Sequence, residues 1–347
     1  MTKCPVCGGD DCILPASRII PRTTSMYTPC LTCAADQPLD KLTPIRTIGV
    51  PTGPDTYRCV SCDRRHIDVV MAQALEILID LGFKAENAAL KDAGTPLIVY
   101  GTDLAEPPRL DRKELILLLD HADRAAANLI LSQVPEIKGV VKRHGNPRTS
   151  VGLPDTGHTP HLYELLAGCD IRADVVNSLL GDMCFYRRQS VMHIEFHRNN
   201  SVKIRMLEKM FLDGDIAGKT LVDGMASAGT LGILAAAGGA KKVVLNDAWL
   251  PAVESILLNI EANQEPLGVR LEHLQSIAQL PHIANNPTLV AKAHGEVELE
   301  VWHGDIRKLA SKIEPCDICI IDAFPGIPTT DIIKSWQGTA KTKIITL

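Results

Sequence analysis

The sequence predicts an α/β fold: a Rossmann-like domain on a parallel sheet, preceded by a small α/β domain and a Cys-rich N-terminal domain. Three observations predict it. From Lys219 onward, short apolar strands alternate with helices in a βαβαβ rhythm. A shorter alternation of the same kind runs from about Pro96 to Arg143. Before residue 63 the chain carries seven of its 11 cysteines in a stretch rich in Pro, Gly and Thr. The domain boundaries that follow are 1–67, 68–200 and 201–347.

Cys4, Cys7, Cys12, Cys30, Cys33, Cys59 and Cys62 make up the N-terminal set. With so few apolar runs, this segment does not fold on a hydrophobic core alone. A helix is predicted from Asp68 to Leu81, ended by Gly82. Strands follow at Pro96–Tyr100, Leu115–Leu119 and Ile137–Lys142, with an Ala-rich helix at Asp123–Ser132. Residues 148–200 are polar and read as loop with short strands. A helix is expected at Ser201–Leu212. The last domain reads as strand Thr220–Asp223, helix Thr230–Ala237, strand Lys242–Asp247, helix Pro251–Asn263, strand Glu296–His303, helix Ile306–Lys312, strand Asp317–Asp322, helix Thr330–Trp336 and strand Lys343–Leu347. The five-strand sheet is shortened, lacking two further strands that such a fold often carries.

At 347 residues and 46% hydrophobic, the chain can bury substantial cores, but with 4% aromatics they must be built of Leu, Ile, Val and Ala. The net charge of −5 is not the footprint of a strong nucleic-acid binder. No apolar run approaches the ~18–20 residues of a membrane span, and the polar start has no signal-peptide pattern. A cytoplasmic protein is expected. In a reducing compartment, clustered cysteines read as metal ligands rather than disulfides.

Ligands of open parallel sheets bind at the carboxyl ends of the strands, and four acidic residues fall there. Asp223 opens the loop Asp223-Gly224-Met225-Ala226-Ser227-Ala228-Gly229, whose small residues allow close backbone approach. Gly232 lets the next helix pack tightly. Asn246-Asp247 ends the second strand, 24 residues after Asp223, where a carboxylate can accept both ribose hydroxyls of a nucleoside. Gly304-Asp305 ends the third strand, and Asp322-Ala323-Phe324-Pro325-Gly326 follows the fourth. Ordinary N-capping is the competing explanation. A dinucleotide is disfavoured, because Gly-x-Gly-x-x-Gly is absent.

The run Val222–Gly229, Asn246-Asp247, Gly304-Asp305 and Asp322–Phe324 resembles class I S-adenosylmethionine (SAM) dependent methyltransferases. The likeness is to archaeal tRNA guanosine methyltransferases and wybutosine-pathway transferases, and it extends to Leu115–Arg143 and Tyr163–Asp174, with Tyr163-Glu164-Leu165-Leu166-Ala167-Gly168 the most telling stretch. It implies SAM as cofactor. Asp223, Ala226 and Gly229 would line the methionine side, with Gly224 and Ser227 also in the cofactor-binding loop. Asn246 and Asp247 would lie at the ribose, Gly304 and Asp305 at the adenine, and Asp322 and Phe324 at the acceptor. The chain departs from the Asn-Pro-Pro-Tyr type of fourth motif, which orients a nitrogen acceptor. A small molecule or cofactor precursor is therefore expected ahead of tRNA. The N-terminal cysteines on such a domain also resemble the fibrillarin-like protein of iron-guanylylpyridinol cofactor biosynthesis, for which an iron or cofactor assembly role without catalysis is the alternative. A protein partner or second copy would complete the shortened sheet.

Cys30/Cys33 and Cys59/Cys62, with 25 residues between the pairs, suit a four-thiolate zinc ribbon. Cys4, Cys7 and Cys12, with His66 as a candidate fourth ligand, suit a second site. An iron–sulfur cluster would use the same thiolates. Cys316 and Cys319 are expected in the core, on opposite faces of a strand. His193-Ile194-Glu195-Phe196-His197 could present two imidazoles to a metal, but a polar surface or a substrate-facing edge is the favoured reading, as solvent is for His158 and His161. Arg187, Arg188 and Arg198 form the one local basic cluster, suited to a phosphate or to solvent.

Overall fold

The computed structural model describes residues 3–33, 38–50, 53–102, 106–144, 163–192, 202–323 and 328–346. The N-terminal part holds α1 (Ala16–Tyr27), α2 (Ile45–Ile48), β1 (Arg65–His66) and α3 (Ile67–Asp80). α3 starts where the His66 imidazole accepts from the amide of Asp68 (3.1 Å), an N-cap. It stops at Gly82, whose φ of 75° only glycine adopts without strain. The central part holds β2 (Thr95–Ile98), β3 (Tyr100–Gly101), β4 (Arg109–Leu110), β5 (Leu115–Leu119), α4 (Arg124–Gln133), β6 (Ile137–Arg143), β7 (Tyr163–Gly168), β8 (Ile171–Ser178) and β9 (Gly181–Arg188). One sheet runs β2-β5-β6-β7, with β5 and β6 parallel across the α4 crossover. A second runs β3-β8-β9. Over 148–200, where loop with short strands is expected, the described residues 163–192 hold the three strands β7 to β9, two of them eight residues long. Their alternate polar residues hid them, because Arg172, Asp174 and Arg187 are buried as ion pairs rather than exposed.

The C-terminal part comprises α5 (Val202–Leu212), β10 (Thr220–Asp223), α6 (Thr230–Ala237), β11 (Lys242–Asp247), α7 (Leu250–Ala262), α8 (Gln264–Leu267), β12 (Val269–His273), β13 (Thr288–Gly295), β14 (Glu298–His303), α9 (Ile306–Leu309), β15 (Cys316–Ile321), α10 (Thr330–Trp336) and β16 (Ala340–Thr346). The sheet order is β12-β13-β14-β11-β10-β15-β16. β14, β11, β10, β15 and β16 are parallel, a doubly wound, Rossmann-like order that reverses between β10 and β15. The five expected strands are present. The sheet is extended beyond them by the antiparallel pair β12 and β13 at the β14 edge, which the sequence reading did not find. Among the described residues, β16 pairs with β15 alone.

Strand alternation sorts the cores. Leu221, Val243, Leu245, Ile318 and Ile320 pack on one face with α6 and α7. Val222, Val244, Cys319 and Ile321 pack on the other with Leu309 and Trp336. Cys316 and Cys319 are both fully buried, as expected, but share one cluster instead of facing apart. The register slips between Cys316 and Ile318. A third core joins the N-terminal residues Ile13, Ile19, Met26 and Ile45 to α3, β5, β6 and β8. No helix among the described residues is long and apolar enough to cross a membrane.

The central and C-terminal parts meet through two asparagines. β9 is an edge strand, and α7 lies where its next neighbour would be. The amides of Cys184 and Tyr186 donate to Asn263 Oδ1 (3.0 Å) and Asn259 Oδ1 (2.6 Å). Their carbonyls accept from Asn263 Nδ2 (2.7 Å) and Asn259 Nδ2 (3.1 Å). The fit is geometric: four helical residues rise about 6 Å, and two strand residues about 6.6 Å. Two side-chain amides thus stand in for a strand and close a buried edge. Replacing Asn263 by Leu leaves a buried N–H and C=O of Cys184 unpaired. A loss of about 2–6 kcal/mol in urea unfolding is expected, from about 1–3 kcal/mol per orphaned group.

Candidate nucleoside-binding site

The loop after β10 sits at the point where the sheet order reverses, beside the end of β15. Its course is fixed by the backbone. Gly224 donates to Ile320 O (3.0 Å), Ala226 to Asn246 O (2.9 Å) and Gly229 to Ala226 O (2.7 Å). Ser227 and Gly229 take left-handed φ values of 51° and 81°, and Gly229 caps α6. At Gly224 a Cβ would come within 2.2 Å of Ile306 Cδ1, so any larger residue would have to displace that side chain. Gly232 lies against Leu245 in the same way and donates its amide to Asp223 Oδ2 (2.9 Å).

Asp223 is 1% exposed, and its Oδ1 has no hydrogen-bond partner. Burial pushes its pKa up to about 7, and the charges of Asp322 and Asp247 add to the rise. Asp247 Oδ2 accepts from Ser227 N (3.0 Å) and Oδ1 from Trp249 N (2.9 Å). Burial raises its pKa too, against those amides. Asn246 Nδ2 donates to Gly224 O (2.9 Å) and Gly304 O (3.0 Å), tying two loops together, while its Oδ1 has no hydrogen-bond partner. Gly304 is held by Asp247 O (3.0 Å) and abuts Pro287.

Asp305 caps α9 through Arg307 N (2.9 Å), and both its oxygens are bonded by the Arg307 guanidinium. Burial alone would raise its pKa, but Arg307 outweighs that and holds it below the usual range. For this residue capping is the observed role. Asp322, one residue beyond β15, pairs through both oxygens with Lys203 Nζ (2.5 and 2.6 Å). Lys203 on α5 was missed, because no spacing links residues 119 positions apart. Met192 Sδ lies 3.6 Å from Ser227 Oγ, in a cluster with Ala228, Ala252 and Trp249. Phe324, Pro325, Gly326, His158, His161, His193, Glu195, His197 and Arg198 lie outside the described residues.

Arg187 does not belong to a surface cluster. It is 1% exposed and paired, with Arg172, to Asp174. Burial draws it down to about 10.

The cysteines gather into two sets of four, each with all ligand atoms within 4.8 Å of one another. Cys30, Cys33, Cys59 and Cys62 form the expected set, with Sγ separations of 3.5 Å for Cys30–Cys59 and 4.0 Å for Cys33–Cys62. The Cys33 amide draws the Cys30 thiol down to about 6. Cys4, Cys7 and Cys12 form the other set, and its fourth member is Cys169 between β7 and β8, not His66, which caps α3. Cys169 carried no sequence signal, being a lone cysteine far from the rest. Both sets use the same tight turn: the residue after the second cysteine, Gly8 or Asp63, has a left-handed φ of 70° or 56°. Either set can hold a metal ion.

The unfolded chain releases the Asp223 proton near the usual aspartate pKa of about 4, the folded chain only near 7. Stability contributed by the protonated form is therefore present at low pH and lost as pH rises across that window. Asp223→Asn should flatten this slope, as urea midpoints at about pH 5 and about pH 8 would register.

No family model matches the chain, and no curated protein matches it in sequence. The solved structures it resembles include methyltransferases. Trm1 of Pyrococcus horikoshii, solved with S-adenosyl-L-methionine, is 19% identical, with 48% of this chain and 40% of that chain covered and a TM-score of 0.37. The tRNA m1G37 methyltransferase of M. jannaschii is 15% identical over 79% and 62% of the two chains, with a TM-score of 0.36. TYW2 of P. horikoshii, solved with MeSAdo, is 17% identical over 66% and 65%, with a TM-score of 0.35. This chain spans less than two thirds of the length of each. The strand order and the loop built on it, rather than these likenesses, bear on what the site can bind.

Proposed function

We propose that the chain is a SAM-dependent methyltransferase, divided at 1–67, 68–200 and 201–347, with SAM seated across Asp223–Gly229, Asp247 and Gly304. The observation that carries this reading is the buried Asp223 carboxylate with one unpartnered oxygen, at the carboxyl end of β10 and close enough to Asp247 and Asp322 to feel their charge. That oxygen suits the ammonium of a methionine moiety, which would hold Asp223 ionised. Asp247 keeps free lone pairs for a ribose diol, since each oxygen accepts one amide. SAM supplies an electrophilic methyl group. The chain's part is to hold an acceptor in line with it and exclude water. Lys203 fixes both oxygens of Asp322, so Asp322, with Phe324, is assigned to orienting the acceptor.

A small acceptor fits the charges near the loop. Lys203, on Asp322, and Arg307, on Asp305, are each paired with a carboxylate, and a phosphodiester chain would have to break such pairs to use them. A cofactor precursor, as the fibrillarin-like resemblance implies, belongs to this class; transfer RNA is the alternative acceptor. The open β16 edge is where a protein partner or second copy would add a strand.

Calorimetry tests the cofactor. SAM should bind the metal-replete protein, and Asp247→Ala should weaken it at least tenfold, about 1.4 kcal/mol. Wild-type protein of verified metal content that binds no SAM overturns the proposal. For the acceptor, tRNA binding at low salt with a steep salt dependence would replace the small-molecule reading.

A further inference from the structure

The geometry points to a single four-coordinate metal ion held by Cys4, Cys7, Cys12 and Cys169, acting as a clasp that sets the position of the Asp223–Gly229 loop. The sulfur spacing is the first support. Cys4–Cys169, Cys7–Cys12 and Cys12–Cys169 Sγ distances are 3.6, 3.4 and 3.8 Å. A tetrahedron with metal–sulfur bonds of about 2.3 Å has edges of about 3.8 Å. An iron–sulfur cluster puts its cysteines on different irons with sulfides between them, and so spreads the thiolates wider than the 4.8 Å that contains this set. The donor chemistry selects a thiophilic divalent cation, zinc above all, and binding releases the thiol protons. Lys138 is buried beside the set, donating to Ile171 O (2.9 Å), and offsets part of the negative charge of four thiolates.

Its span is the second support. Cys4 and Cys169 are 165 residues apart, so one ion closes a long loop, where a cross-link gains most. The other four-thiolate set lies wholly within residues 30–62 and cannot act in this way.

The third support is what the clasp is joined to. Two residues beyond Cys12, Leu14 N donates to Tyr186 Oη (2.7 Å), and Tyr186 Oη donates to Leu14 O (3.1 Å). The Tyr186 backbone is the one gripped by Asn259. Asn259 Nδ2 also donates to Ala228 O (2.8 Å), inside the loop. A continuous path of main chain, one tyrosine side chain and hydrogen bonds thus runs from Cys12 through Leu14, β9 and α7 to the loop. The consequence for cofactor binding rests on the function proposed above, whereas the clasp and its grip on the loop do not.

The test is therefore made without SAM. Metal content is measured by plasma mass spectrometry, and backbone amide exchange is followed over residues 224–229. Wild-type protein should carry about two ions per chain and no inorganic sulfide. Cys169→Ser should lose about one of them and speed exchange in the loop about tenfold. Cys30→Ser should lose the other ion and leave the loop unchanged. Tyr186→Phe, which spares every thiol, should keep both ions and still speed loop exchange, so the coupling stays testable if Cys169→Ser does not fold. Cobalt replacing the metal should give a thiolate charge-transfer band that Cys169→Ser diminishes. Two ions retained by Cys169→Ser, a cluster absorption band with inorganic sulfide, or unchanged loop exchange in both Cys169→Ser and Tyr186→Phe would overturn the inference. Failure of SAM to bind a protein that passes these tests would instead count against the proposed function.

Discussion

Everything around the candidate site depends on two side-chain amides taking the place of a β-strand. Asn259 and Asn263 satisfy the open edge of β9 and are fully buried in doing so. Without them, the N–H and C=O groups of a buried edge strand would face a helix that has no main-chain partners to offer. Asn259 then reaches one step further, to Ala228 in the loop. The central domain is therefore registered against the very turn that the proposed cofactor would touch.

A second constraint is the burial of charge. Glu136 is fully buried and accepts from Arg65 Nε (2.9 Å) and from Arg58, while Arg65 Nη1 reaches Gln73 Oε1 (2.8 Å) and Gly53 O (3.0 Å). This network fastens the residue 53–66 turn, which bears Cys59 and Cys62, to the start of β6. The Arg172–Asp174–Arg187 group plays the matching part between β8 and β9. Buried ion pairs add little net stability, but losing one partner is costly, so they specify register rather than strengthen the fold. At the site the balance is reversed. Asp223 is buried with no cation paired to it, since the nearby Lys203 is bonded to Asp322, and burial raises its pKa.

The elements that were legible in the sequence are those whose signal is local. Helix Thr230–Ala237, strand Lys242–Asp247 and helix Thr330–Trp336 appear with the bounds expected of them, because apolar periodicity and Gly or Pro punctuation sit within a few residues. The β8–β9 hairpin was illegible because its inward polar residues find partners across strands. β12 was illegible because a mostly exposed antiparallel strand such as Val269–His273 lacks an apolar run. Lys203 and Cys169 had no local signal at all; each acquires meaning only from a group more than a hundred residues away.

The sequence by itself determined the doubly wound C-terminal domain, the acidic residues at the ends of its strands and the Cys30/Cys33/Cys59/Cys62 set, since strand periodicity, loop composition and short Cys-x2-Cys spacings are properties of neighbouring residues. Only the tertiary structure decided which of those acids are uncommitted. Asp305 is taken by Arg307 and Asp322 by Lys203, whereas Asp223 keeps a free oxygen. Only the tertiary structure, likewise, brought Cys169 to Cys4, Cys7 and Cys12. The physical reason is common to both: a side chain's partner is chosen by packing across the fold, and packing joins residues that no sequence window contains.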